Sequence, residues 1–271
     1  KEHGSKGGVD REVVANAKIG QILWEDSCDI KGERDACIVI KRERAVKIKR
    51  DKGKKGKRKR DEPQQKQCGP DSKNKIVVHE RKRKLVKEAQ KYFANVNKLW
   101  NDGKGMKKVG GKDEAEKTWR LRDMVYWTAA VNFYVGEEKY EEFLAVEFPT
   151  KLVFDEQHQA KKTKDSKKRF ADWLKNKDKM LTDTSKIYTG VVEEFGSGGQ
   201  DWAIASASRV GQLWQNFADG LYTASIPPVP DDVKAAYKAA GMTSQDAEDE
   251  FVSLYCDALT EKAGPLEDRQ G

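Results

Sequence analysis

The chain has 271 residues, 37% apolar and 36% charged, with a mean hydropathy of −0.87. That is poor in core material for a compact enzyme of this length. It suits helices carrying one apolar stripe each, or a folded part beside a disordered one. The net charge of +8 is uneven: Lys41 to Arg60 hold 13 basic and two acidic residues, so the rest is a mildly acidic body of net −3.

No apolar run approaches the ~20 residues of a membrane-spanning helix, and the opening Lys1-Glu2-His3-Gly4-Ser5 is not a signal-peptide pattern. The chain reads as a stretch of a longer array. Asp10 to Asp26 is the first expected helix, with Val13, Val14, Ala17, Ile19, Ile22 and Leu23 apolar. Cys28 and Cys37 bracket a polar turn. Ile38 to Ile40 and Ile76 to Val78 are short β-favouring runs that could pair as a ribbon, with the basic segment as its long loop.

From Arg83 the helical pattern is strong. Leu85, Ala89, Phe93, Val96 and Trp100 fall on one stripe, stopped at Gly103. Asp113 to Phe148 carries Trp119, Met124, Trp127, Val131, Tyr134, Tyr140 and Phe143, and Gly136 is expected to divide it into two helices. A loop follows Pro149, and helix resumes from Ser166 to Phe195 before the stop Gly196-Ser197-Gly198-Gly199.

The stretch Asp201 to Pro227 is the most informative. Asp201 is placed to cap a helix. Ile204, Val210, Leu213, Trp214, Phe217 and Leu221 recur at helical spacing, and Ala203, Ser206, Ala207 and Gly211 are small. A glycine inside a helix costs about 1 kcal/mol against alanine, so close approach of a neighbouring helix is expected at Gly211. Lys18-Ile19-Gly20-Gln21-Ile22 parallels Arg209-Val210-Gly211-Gln212-Leu213, and the apolar-Gly-x-x-aromatic spacing of the second copy resembles a tetratricopeptide helix, which implies Gly20, Gly211 and Trp214 as packing residues. Asp231 to Ala240 and Thr243 to Ala263 complete the helices, the last opened by a Thr243/Asp246 capping box. Cys256 reads as a core residue.

Little in the chain points to catalysis. Lys104 to Lys112 imitates a phosphate loop, but Met106 stands where glycine is required and Asp113 where a hydroxyl is required. His3, His79 and His158 are far apart in sequence, and no C-x-x-C occurs, so no cofactor or metal is implied. Glu137-Glu138, Glu141-Glu142 and Glu193-Glu194 read as solvated helix faces. The basic clusters, with Lys54, Lys55, Lys57, Arg58, Lys59 and Arg60 at their end, suit a nucleic acid or another polyanion, including an anionic lipid surface. A merely solvated loop reads equally well. Cys28 and Cys37 could close a disulfide loop in an oxidising compartment; incidental thiols fit as well.

Several phrases together carry a family likeness: Trp24-Glu25-Asp26-Ser27-Cys28, Cys68-Gly69-Pro70, Ala89 to Phe93 before Lys98-Leu99-Trp100, Gly136 to Phe143, Trp202 to Tyr222, Ile226-Pro227-Pro228, and Glu261 to Glu267. The chain resembles large tetratricopeptide-repeat proteins of myxobacteria and related deltaproteobacteria, including a gliding-motility-associated group. The resemblance implies a periplasmic or envelope-associated scaffold with no catalysis, and favours a Cys28–Cys37 bridge or one through Cys68. By the family's helix geometry it also implies that Gln21, Gln212, Gln215 and Asn216 face a protein-binding groove.

The expected fold is therefore all-α, an irregular tetratricopeptide-like helical-hairpin solenoid with a basic, partly extended insert near the N-terminus. Residues 1–27 end a preceding repeat, 28–82 form the cysteine-bounded insert, and 83–271 form the array. The expected function is non-catalytic scaffolding in a cell-envelope assembly, with nucleic-acid binding through residues 41–60 as the alternative.

Overall fold

The computed structural model describes residues 8–28, 30, 37–44, 67–69, 72–102 and 109–267. These are predominantly helical. In chain order they form α1 (Val9–Asp26), β1 (Ile38–Arg44), β2 (Ser72–Val78), α2 (Arg83–Asn101), α3 (Glu114–Leu144), α4 (Glu156–Phe195), α5 (Gln200–Tyr222), α6 (Asp231–Ala239) and α7 (Ser244–Glu267). β1 and β2 pair as a two-stranded ribbon. The chain divides into two compact units, each discontinuous in sequence. Of the described residues, the first holds those within 1–39, 76–146 and 179–213, and the second those within 40–75, 147–178 and 214–271.

In the first unit α1 packs on both α2 and α3. Its buried stripe is Val13, Ala17, Gly20 and Trp24, positions that fall on one face of a helix. Ile19 and Ile22, also apolar, are exposed. α2 buries Ala89, Phe93 and Val96 at the same spacing. A β-carbon on Gly20 would lie 2.5 Å from the Phe93 ring, so the glycine lets the two helices approach closely. α3 is the central helix of this unit. Thr128, Ala129, Ala130 and Val131 are buried in succession, which requires neighbours all round. Asp113 caps it by accepting from the Glu116 amide at 2.7 Å.

Gly136 does not divide α3, contrary to expectation. The helix runs unbroken through it, because the missing β-carbon makes room for Tyr188, whose ring would stand 2.6 Å from one. Trp119 is 64% exposed. Val191 and Phe195 of α4 pack with Ala129, joined by Trp100, Val125 and Trp202.

In the second unit the loop expected after Pro149 is shorter than read: helix starts at Glu156, ten residues before the expected Ser166. Asp155 caps it, accepting from the His158 amide at 3.0 Å. Only Gln159, with φ −136° and ψ 39°, interrupts the helical backbone. Phe148, Phe170, Trp173 and Phe217 form an aromatic cluster with ring centroids 5.0 to 6.3 Å apart. α6 packs on α7, with Gly241 between them at φ 77°. Thr243 and Asp246 exchange the capping-box bonds, 2.7 Å and 3.2 Å. α7 continues past Ala263 to Glu267 with Pro265 inside its last turn. Asp201 lies within the first turn of α5 rather than at its cap.

Candidate functional site

Buried charges organise the first unit, and several are acids expected to be solvated. Glu137 has no exposed surface. Arg209 grips both its oxygens, Nε to Oε1 at 2.7 Å and Nη2 to Oε2 at 2.9 Å. The Tyr188 hydroxyl donates to Oε1 at 2.7 Å. Arg209 also donates to Gln212 Oε1 at 2.8 Å, and the Tyr140 hydroxyl donates to the same oxygen at 2.7 Å. Burial pushes the Glu137 carboxyl up from its ordinary value, opposed by the Arg209 charge and the Tyr188 hydroxyl. Burial likewise raises Tyr188 and pushes Tyr140 up to about 12. Glu137, Tyr188 and Arg209 lie on α3, α4 and α5, so the cluster ties three helices with fully paired polar groups.

A second cluster fixes the ribbon. Arg81 makes a fork on Glu141, with bonds of 2.7 to 3.0 Å. It also donates to the Trp24 carbonyl at 2.8 Å and stacks 4.0 Å over the Trp24 ring. α1 has no basic residue in its last turn; Arg81 supplies the cation that the carbonyl end of a helix favours. Glu141 in turn accepts the Cys37 amide at 2.6 Å. A third pair, Arg120 with Asp10 at 2.7 Å, joins α3 to the start of α1. Glu137 and Glu141 thus continue the buried side of α3 at i, i+4. That spacing was legible in the sequence, but their arginine partners 60 and 72 residues away were not.

All four cysteines are paired, Cys28 with Cys37 and Cys68 with Cys256. Cys256 is therefore not a free core thiol. The long bridge holds α7 to residues 67–69, where Gln67 pairs with Ser225 and the Cys68 amide donates to the Ala224 carbonyl at 2.9 Å.

The second unit carries an open groove of about 580 Å³ between residues 151–153 and α4. Its cations are Lys151, Lys162, Lys168 and Arg169, with Asp165 and Asp172 among them. The segment before α4 lies along the helix, pinned at three successive turns. Thr163 donates to the Asp155 carbonyl at 2.8 Å, and Ser166 accepts the Val153 amide at 2.9 Å. Arg169 donates to the carbonyls of Thr150 and Lys151 at 3.1 and 3.0 Å. Lys151 has φ 55°, the one positive value at a non-glycine among the described residues.

The residues singled out from sequence are scattered. Gln212 belongs to the Glu137 cluster in the first unit, its carbonyl engaged twice. Gln215 is exposed and Asn216 half-buried, both in the second unit. Gln21 is half-buried and bonds Glu25 at 2.7 Å. Gly211 and Trp214 are half-buried in α5. Lys54, Lys55, Lys57, Arg58, Lys59 and Arg60 lie outside the described residues. Among the described residues no cluster of three potential metal ligands occurs, and no helix is long and apolar enough to cross a membrane.

No family model, curated protein or solved structure matches the chain.

Proposed function

We propose that this protein is a non-catalytic protein–protein scaffold of a bacterial cell-envelope assembly, built as an irregular tetratricopeptide-like array of helical hairpins. The observation that carries the compartment is the pairing of all four cysteines. Disulfides persist in oxidising compartments and are rare in the cytosol. The scaffold part of the reading is supported by the use made of buried charge. Glu137, Glu141 and Asp10 are each taken up by an arginine from another element. Breaking such a pair leaves a buried charge uncompensated, so each holds its elements in one arrangement, as a rigid partner-binding surface requires. The close α1–α2 crossing at Gly20 supports the repeat-like part of the reading.

The test is fractionation of cells expressing a tagged chain, with free thiols trapped by alkylation before lysis. The scaffold reading expects oxidised cysteines in an envelope fraction and recovery of defined envelope proteins after cross-linking. Reduced thiols in a cytosolic fraction, with no cross-linked protein, would overturn it. The basic run from Lys41 to Arg60 keeps nucleic acid as the second reading. Binding to duplex DNA that falls steeply with salt and vanishes when residues 41–60 are deleted would put that reading first.

A further inference from the structure

We infer that the groove between residues 150–155 and the first half of α4 binds a short acidic peptide segment of a partner protein, through Lys151, Lys162 and Lys168. The inference rests on the scaffold reading and gives it a contact site.

Three observations carry it. The first is the backbone of Lys151, held at φ 55°. A side chain is disfavoured there, and glycine or asparagine is the ordinary occupant. The conformation persists because Arg169 donates to the carbonyls of Thr150 and Lys151, the two peptide groups that flank the Lys151 α-carbon. Leu152 beside it is buried. Strain kept in place by surrounding bonds is a feature of ligand clamps.

The second observation is the mixture of charges. Asp165 and Asp172 lie among the four cations. A polymer charged at every unit would set its own anions against both carboxylates. A peptide separates its carboxylates by neutral backbone, and its amides can donate to Asp165 and Asp172. The ammonium groups of Lys151, Lys162 and Lys168 suit carboxylates, and Val153 offers an apolar contact. The third is size. Lys162 and Arg169 are seven residues apart, roughly 10 Å along the helix axis, the span of about three extended residues. A volume of about 580 Å³ takes a segment of that order.

The experiment is calorimetric titration of the whole chain with a blocked hexapeptide of alternating Glu and Gly. Wild type should bind, and the variant Lys151→Gly with Lys168→Gln should bind at least about tenfold more weakly, the size of effect that lost charge contacts produce. Glycine accepts φ 55°, so this variant should melt no earlier than wild type, which separates lost binding from lost folding. A second variant has Lys54, Lys55, Lys57, Arg58, Lys59 and Arg60 all changed to Gln, and should keep its affinity. Equal binding by the groove variant, or binding lost only with the second variant, overturns the inference. So does a six-unit polyphosphate that binds where the hexapeptide does not. If envelope proteins cross-link equally to wild type and the groove variant, the scaffold reading stands and the groove fails. If none cross-links to wild type, the scaffold reading itself fails.

Discussion

Replacing Gly136 by alanine tests whether a glycine inside α3 is there for packing. Alanine is worth about 1 kcal/mol more than glycine within a helix, so on propensity alone the variant should be more stable. The structure predicts the opposite. The new β-carbon would stand 2.6, 2.8 and 3.2 Å from three atoms of the Tyr188 ring, where carbon–carbon contacts prefer roughly 3.5 to 4.0 Å. The ring would have to retreat by about 1 Å. It is wholly buried, sits 5.7 Å from Phe133 between centroids, and donates to Glu137 at 2.7 Å. Overpacking of this kind costs roughly 1–3 kcal/mol, and stretching a hydrogen bond to a charged group adds about 1.5–3 kcal/mol if it breaks. Net destabilisation of about 1–3 kcal/mol is expected by urea unfolding. Gly190→Ala is the control, since it lies in helix α4 with nothing within 4 Å of its β-carbon position. It should gain up to about 1 kcal/mol. If Gly136→Ala also gains, the packing argument at Tyr188 is wrong.

Three further outcomes are expected. Loop-closure entropy for the bridges, with separations of 188 and 9 residues, gives about 5 and about 3 kcal/mol. Changing Cys68 and Cys256 to serine should therefore cost more in a denaturant melt than changing Cys28 and Cys37, and the reverse order would refute the loop argument. Burial pushes the Lys177 amine down to about 7 from 10.5. The unfolded chain then binds more protons between those values, so this group's contribution to stability rises with pH across the window, by up to about 1.4 kcal/mol per unit. Paired melts of wild type and Lys177→Met should show the difference moving towards wild type from pH 7 to pH 10; a constant difference would mean the amine is not desolvated. Finally, Lys151→Gly alone should not lower stability, because glycine takes φ 55° freely; a lower melting point would show that the lysine side chain supports the fold.

By itself the sequence determined the local features. The 3.6-residue spacing of Ala89, Phe93 and Val96 marks the inner face of α2, and the Thr243/Asp246 box marks the start of α7. The β-favouring runs beginning at Ile38 and ending at Val78 mark a ribbon. These are set by residues within a turn or two of one another, so periodicity and capping reveal them. Only the tertiary structure decided the rest. Gly136 reads as a breaker until Tyr188 occupies the space beside it. Glu137 and Glu141 read as solvated until Arg209 and Arg81 meet them, and Cys256 reads as core until Cys68 joins it. The Lys151–Arg169 groove is likewise absent from any local pattern, because it forms only when an extended segment folds back along α4. In each case the deciding partner is distant in the chain, and a residue's own neighbours carry no record of a contact that only folding brings about.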